Sequence, residues 1–181
     1  MLFRIFLSAI LACVWIGENA MAGHPKNTIY LDLEDGRVVI ELRPDLAPNH
    51  VERIKELTRE GFYDGVVFHR VIDGFMAQTG DPTGTGMGGS DKPDLEAEFS
   101  DEPHVRGTLS MARTSDPDSA NSQFFIVFED ASHLNGQYTV WGSVVDGMEY
   151  VDKIKRGDGR NGMVDDPDKI IRMRIAADVD E

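Results

Sequence analysis

The sequence predicts one mainly β domain, a sandwich or barrel of short strands with two helices, and three observations predict it. β-branched and aromatic runs recur between clusters of Gly, Asp, Pro and Ser, the pattern of short strands joined by tight turns. Helical periodicity is confined to two segments. A length of 181 residues suits one domain, and no repeat or long linker divides it. The apolar fraction of 41% excludes a disordered chain.

Residues 1–22 read as an export signal rather than as part of the fold. Met1–Arg4 is a short positive start, and Ile5–Ile16 is an apolar run broken only by Ser8. That run is too short to span ~30 Å of hydrocarbon, and Ala20-Met21-Ala22 supplies a small-x-small cleavage pattern, which places the cut after Ala22, with a retained N-terminal membrane anchor as the alternative reading. Residues 23–181 then form the functional domain. Cys13, the sole cysteine, leaves with the signal, so the mature protein has no thiol for catalysis or crosslinking. An exported protein without disulfides must rely on its core, and this chain is long enough to bury roughly 70% of its unfolded surface.

The elements follow in order. Thr28–Leu33 alternates Ile29, Leu31 and Leu33 with polar neighbours, Glu34-Asp35-Gly36 turns, and Arg37–Leu42 resumes, which gives a hairpin. Asn49–Glu60 carries Val51, Ile54, Leu57 and Thr58 at three- and four-residue steps, which gives a helix, with Gly61 positioned to end it. Gly65–Ile72, Gly107–Ala112, Ser122–Phe128 and Gln137–Val145 read as strands. A second helix is expected over Met148–Lys155, a charged loop over Asp158–Asp168, and a last strand over Lys169–Ile175.

The formal net charge of −14 excludes nucleic acid and anionic membrane surfaces as partners, because both need clustered Lys and Arg. Gly84-Thr85-Gly86-Met87-Gly88-Gly89 satisfies G-x-G-x-x-G, but Ser90-Asp91-Lys92-Pro93 follows where a dinucleotide site needs a helix, so the run reads as a flexible loop. The five histidines are scattered, and the acidic run Asp94, Glu96, Glu98, Asp101 and Glu102 reads as a solvated face. Neither calls for a metal, and no cofactor is expected.

Phe68–Asp81 places Arg70 among Phe75, Met76 and Gln78 with no acid immediately beside it. Composition alone favours an edge-strand Arg flanking core Phe and Met over a pocket holding an Arg. A buried guanidinium would need carbonyl or carboxylate partners.

The segment Phe68–Asp81 resembles the signature of cyclophilin-type peptidyl-prolyl isomerases. Gly61–Gly65, Gly107–Ala112, Asn121–Ile126 and Leu134–Gly142 agree with the family in order and spacing, so the resemblance covers the chain from about Thr28 onward. It implies a closed eight-stranded antiparallel barrel capped by two α-helices and rotation about X–Pro bonds. By position it implies Arg70 and Gln78 as catalytic residues. Phe75, Met76, Ala112, Arg113, Gln123, Phe125, His133, Leu134 and Tyr138 would bind the substrate.

Three of these depart from the best-known eukaryotic members: Tyr138 replaces His, Arg113 replaces Asn and His133 replaces Trp. The last implies weakened cyclosporin inhibition. The implied partners are proline-containing, unfolded or partly folded polypeptides outside the cytoplasm, in the periplasm or secreted, met by a monomer. A non-catalytic proline-binding module and a sugar- or cation-binding barrel are the competing readings.

Overall fold

The computed structural model describes residues 24–158 and 161–179. The expected export signal, residues 1–22, lies outside the described residues. Eight strands form one antiparallel sheet: β1 (Thr28–Leu33), β2 (Gly36–Leu42), β3 (Arg70–Ile72), β4 (Met76–Thr79), β5 (Thr108–Met111), β6 (Phe124–Val127), β7 (Val140–Asp146) and β8 (Arg172–Ile175). Two α-helices accompany them, α1 (Pro48–Arg59) and α2 (Met148–Val151).

The hairpin forms as the alternation predicts. Ile29, Leu31, Val38 and Ile40 are fully buried, and Leu33 pairs with Gly36 across a two-residue turn. The first helix also forms, with Val51, Ile54 and Leu57 buried. It ends in a left-handed Gly61 (φ +69°), where Phe62 N–H reaches Leu57 O and Gly61 N–H reaches Thr58 O. That is the Schellman arrangement, which satisfies carbonyls the helix would otherwise leave open. At its other end Ala47 offers no side-chain cap. Glu98, expected on a solvated face, instead accepts from the N–H groups of Asn49 (3.2 Å) and His50 (3.0 Å) and from the His50 ring (2.7 Å). A carboxylate from a distant loop thus caps the positive end of the helix.

Strand order across the sheet is β3-β4-β6-β5-β7-β2-β1-β8, with β3 and β8 at the two edges. This corrects the expected closed barrel: the sheet curls but stays open, because no strand pairing joins β3 to β8. Irregular backbone spans part of the gap, with Gly65 N–H on Ile170 O, Ile170 N–H on Val66 O and Phe68 N–H on Asp168 O. The expected strand over Gly65–Ile72 accordingly shortens to Arg70–Ile72. β4, too short to stand out in composition, completes the eight. Helix α2 likewise shortens to one turn.

Curling comes from irregular register. Between β5 and β7 it shifts so that Trp141 has no direct partner, and between β2 and β7 it shifts around Val145. Such bulges bend a strand and increase its twist. Trp141 is fully buried, packing edge-on against Phe124, which meets Tyr63 in the same way.

Candidate active site

Register assembles the site. In the β3–β4 ladder Arg70 stands opposite Gln78, and in the β4–β6 ladder Gln78 stands opposite Phe125. Residues directly opposite share a face of the sheet. Arg70, Gln78 and Phe125 therefore form a row on the outer face, while Ala77, Phe124 and Ile126 alternate inward to the main core. The next row holds Met76 opposite Val127. Met76, Phe125, Val127, Ala131 and Leu134 make a second apolar cluster, separate from the first, with Phe75, Ala112 and Tyr138 packed on it.

The cluster floors an open cleft of about 340 Å³ lined by ten of the eleven expected site residues: Arg70, Phe75, Met76, Gln78 and Ala112, with Arg113, Phe125, His133, Leu134 and Tyr138. Gln123 lies behind Gln78 and lines the neighbouring cleft instead. Phe75 and His133 stand with ring centroids 5.4 Å apart, and Phe125 meets Tyr138 edge-on at 5.8 Å. Arg113 lies over the Tyr138 ring at 4.5 Å and donates to Gln137 O and Thr114 O. Leu134 is presented by a 3-10 turn, Ser132–Leu134.

The Arg70 guanidinium is partly buried and finds the carbonyl partners its environment demands. Nε donates to Asn161 O at 2.8 Å and Nη1 to Gln78 Oε1 at 3.2 Å. Gln78 Nε2 donates to Gln123 Oε1 at 2.9 Å, and Gln123 Nε2 donates to Gly86 O and Gly88 O. The direction of this chain is fixed at both ends, since Arg can only donate and a backbone carbonyl can only accept. Desolvation lowers the Arg70 pKa from its ordinary value, but a guanidinium keeps its charge throughout. Its remaining N–H groups are free of these two bonds, so a cation with spare donors stands beside an apolar floor.

Two supports escaped the sequence reading. Asn161 acts through its backbone carbonyl, which no side-chain pattern reveals. His104 is buried against Phe125, held by Ser110 Oγ (3.0 Å) and Asn135 Oδ1 (3.1 Å). Its burial pushes its pKa down, which favours the neutral ring there. Among the described residues no group of three or more His, Cys, Asp or Glu could hold a metal ion.

The cyclophilin type peptidyl-prolyl cis-trans isomerase/CLD family model matches residues 28–175. Over 173 residues the chain is 59% identical to a probable peptidyl-prolyl cis-trans isomerase of Brucella suis, covering 89% of this chain and 88% of that one. It is 47% identical over 133 residues to peptidyl-prolyl cis-trans isomerase B of Bacillus subtilis, covering 72% and 92%. Among solved structures it superimposes on the cyclophilin AquaCyp293 of Hirschia baltica (TM-score 0.78, 28% identity, 87% and 76% covered). It also superimposes on a Cryptosporidium parvum cyclophilin-type isomerase solved in the presence of the dipeptide Ala-Pro (TM-score 0.75, 31% identity, 82% and 98% covered). A curled eight-stranded sheet, an outward-facing Arg–Gln–Phe row and these likenesses agree: the chain belongs to the cyclophilin-type peptidyl-prolyl cis-trans isomerases.

Proposed function

We propose that the cleft over Phe125 turns X–Pro bonds in exported polypeptides, with Arg70 as the residue that favours the twisted bond. The observation carrying this is the Arg70 guanidinium, fixed by Asn161 O and Gln78 beside a floor of Met76, Phe125 and Leu134.

The physical demand is modest and specific. Rotation about a peptide bond costs about 18–20 kcal/mol because resonance is lost, and uncatalysed X–Pro isomerisation takes tens to hundreds of seconds. A ten-thousandfold acceleration needs about 5.5 kcal/mol of binding felt only by the twisted bond. No covalent bond breaks, so no nucleophile or proton shuttle is required.

In the twisted state the prolyl nitrogen recovers its lone pair. A guanidinium donating there stabilises the twisted form over both planar ones, and hydrogen bonds from charged donors contribute roughly 1.5–3 kcal/mol. Phe75, Met76, Phe125 and Leu134 grip the pyrrolidine ring. Gln78 and the backbone around Ala112 hold a flanking carbonyl, so that one side of the bond turns against the other. Arg113, His133 and Tyr138 form the rim that meets the rest of the peptide, and Gln123 steadies Gln78. The Ala-Pro dipeptide in the Cryptosporidium parvum structure supports a proline-containing partner.

Location rests on residues 1–22, whose short positive start, apolar run and Ala-Met-Ala pattern suit export and cleavage. Clients are then unfolded or partly folded chains outside the cytoplasm. Amino-terminal sequencing of the protein recovered from its cells tests this: a start at Gly23 supports it, and a retained Met1 contradicts it.

The activity is tested by a chymotrypsin-coupled assay on an Ala-Pro-Phe peptide with catalytic amounts of protein. Wild type should turn the peptide over and Arg70→Ala should lose at least a hundredfold in kcat/KM with its unfolding transition unchanged. Saturable binding without turnover would instead indicate a proline-binding module.

A further inference from the structure

The glycine-rich run 84–89, read from sequence as a flexible loop, is built around a buried anion that belongs to the protein. Asp81 is fully buried. Its Oδ1 accepts from Thr83 N–H and Thr83 Oγ1, both at 2.8 Å. Its Oδ2 accepts from Gly86 N–H (2.6 Å), Gly88 N–H (3.1 Å) and Thr85 Oγ1 (3.4 Å). Backbone N–H groups from three loop residues thus converge on one carboxylate and wrap the loop around it. The glycines are needed for the wrap: Gly84 and Gly86 have φ +68° and +83°, and a Cβ on Gly88 would overlap Asp81 Oδ1. A Cβ on Gly86 would meet the ring of buried His69. Desolvation pushes the Asp81 carboxyl up, but these hydrogen bonds outweigh it and hold the pKa at about 2.

The same two glycines present their carbonyls to Gln123. With Gly86 and Gly88 N–H groups drawn onto Asp81, Gly86 O and Gly88 O point at Gln123 Nε2 (3.1 and 2.8 Å). Gln123 Oε1 then faces Gln78, and Gln78 Oε1 faces Arg70. We propose that Asp81 is a positioning residue for the isomerase reaction, setting the orientation of both glutamines and through them the guanidinium. Without the carboxylate the loop carbonyls turn, Gln123 is free to flip, and a flipped Gln123 presents NH₂ to the NH₂ of Gln78. Gln78 then flips in turn and presents a donor to Arg70, which can only donate. The inference rests on the role given to Arg70 above.

Asp81→Asn tests it. An asparagine can keep Oδ1 on Thr83 but places NH₂ against the two glycine N–H groups. The expected result on an Ala-Pro peptide is a loss of about tenfold in kcat with KM within about twofold, since misplacing a catalytic group costs rate rather than affinity. In a Gln123→Leu background the same substitution should lower kcat by no more than about twofold further, while the fall in Tm it causes stays the same. A purely structural role would move Tm without this loss of additivity.

Wild-type kcat in Asp81→Asn below its Tm, or equal fold-losses in both backgrounds, would overturn the proposal. Should Asp81→Asn not fold, Gly88→Ala reaches the same contact from the loop side and carries the same expectations. Arg70→Ala run alongside separates the two readings: full activity there overturns the role of Arg70 itself, whereas a large loss there with no effect at Asp81 overturns only the relay.

Discussion

The inner and outer faces of β4 and β6 are made by alternate residues of the same eight, yet they are held together by different physics. The inner face, Ala77, Phe124 and Ile126, joins a core shared with Trp141, Tyr63 and α1 that is closed to water. The outer face, Met76, Phe125 and Val127, also carries apolar side chains where solvent-facing residues are ordinarily polar, and Met76 and Phe125 lie under an open cleft. A strand that is apolar on both faces here marks the place where the fold sets an apolar floor beneath a cleft. The polar groups of that face are not scattered either, for each of Arg70, Gln78 and Gln123 is aimed by the next.

Phe124 and Phe125, neighbours in sequence, separate the two faces cleanly. Phe124→Ala should cost about 3–5 kcal/mol of stability in denaturant unfolding while kcat/KM per folded molecule changes little. Phe125→Ala should cost less, about 1.5–3 kcal/mol, because its site opens to the cleft, but should lower kcat/KM by about tenfold or more. Equal catalytic losses in both would erase the division between faces.

A smaller effect comes from three buried histidines. His50, His69 and His104 are all pushed below the ordinary 6.5 by burial, against which the Glu98 bond raises His50 only in part. The unfolded chain takes up protons below that value before the folded one does, so stability is fully present above it and declines as pH falls further. Tm measured against pH should show that decline. Glu98→Gln weakens the cap on α1 and should lower Tm by the equivalent of about 1 kcal/mol at neutral pH, with the isomerase rate unmoved. The smallest change belongs to the rim: His133→Trp should tighten cyclosporin about fivefold by restoring an indole N–H and apolar area, read by titration calorimetry. An unchanged affinity would remove His133 from that contact.

The inner face was legible in sequence because burial imposes periodicity. Ile29, Leu31, Val38 and Ile40 announce a hairpin, and Val51, Ile54 and Leu57 a helix. Where structure depends on distant partners the sequence was silent. Glu98 looks like any surface acid until the N-terminus of α1 is brought to it. β3 is shorter than its apolar run because its neighbour across the gap is irregular backbone, which also leaves the sheet open rather than closed. The site residues come from four separated segments, so motif resemblance collected them where periodicity could not. Even so it missed the Asn161 carbonyl and the role of Asp81 in the glycine loop, because the backbone groups that partner Arg70 and Asp81 leave no mark on side-chain pattern.

The central claim is that one oriented guanidinium on the outer face lowers the barrier to prolyl rotation. Exchange between the cis and trans proline signals of an Ala-Pro peptide, followed by NMR with catalytic amounts of protein, tests it most directly. Wild type should bring exchange onto the sub-second scale, and Arg70→Lys, which keeps the charge but loses the planar fork, should return it most of the way to the uncatalysed rate. Exchange as fast with Lys as with Arg would contradict the account.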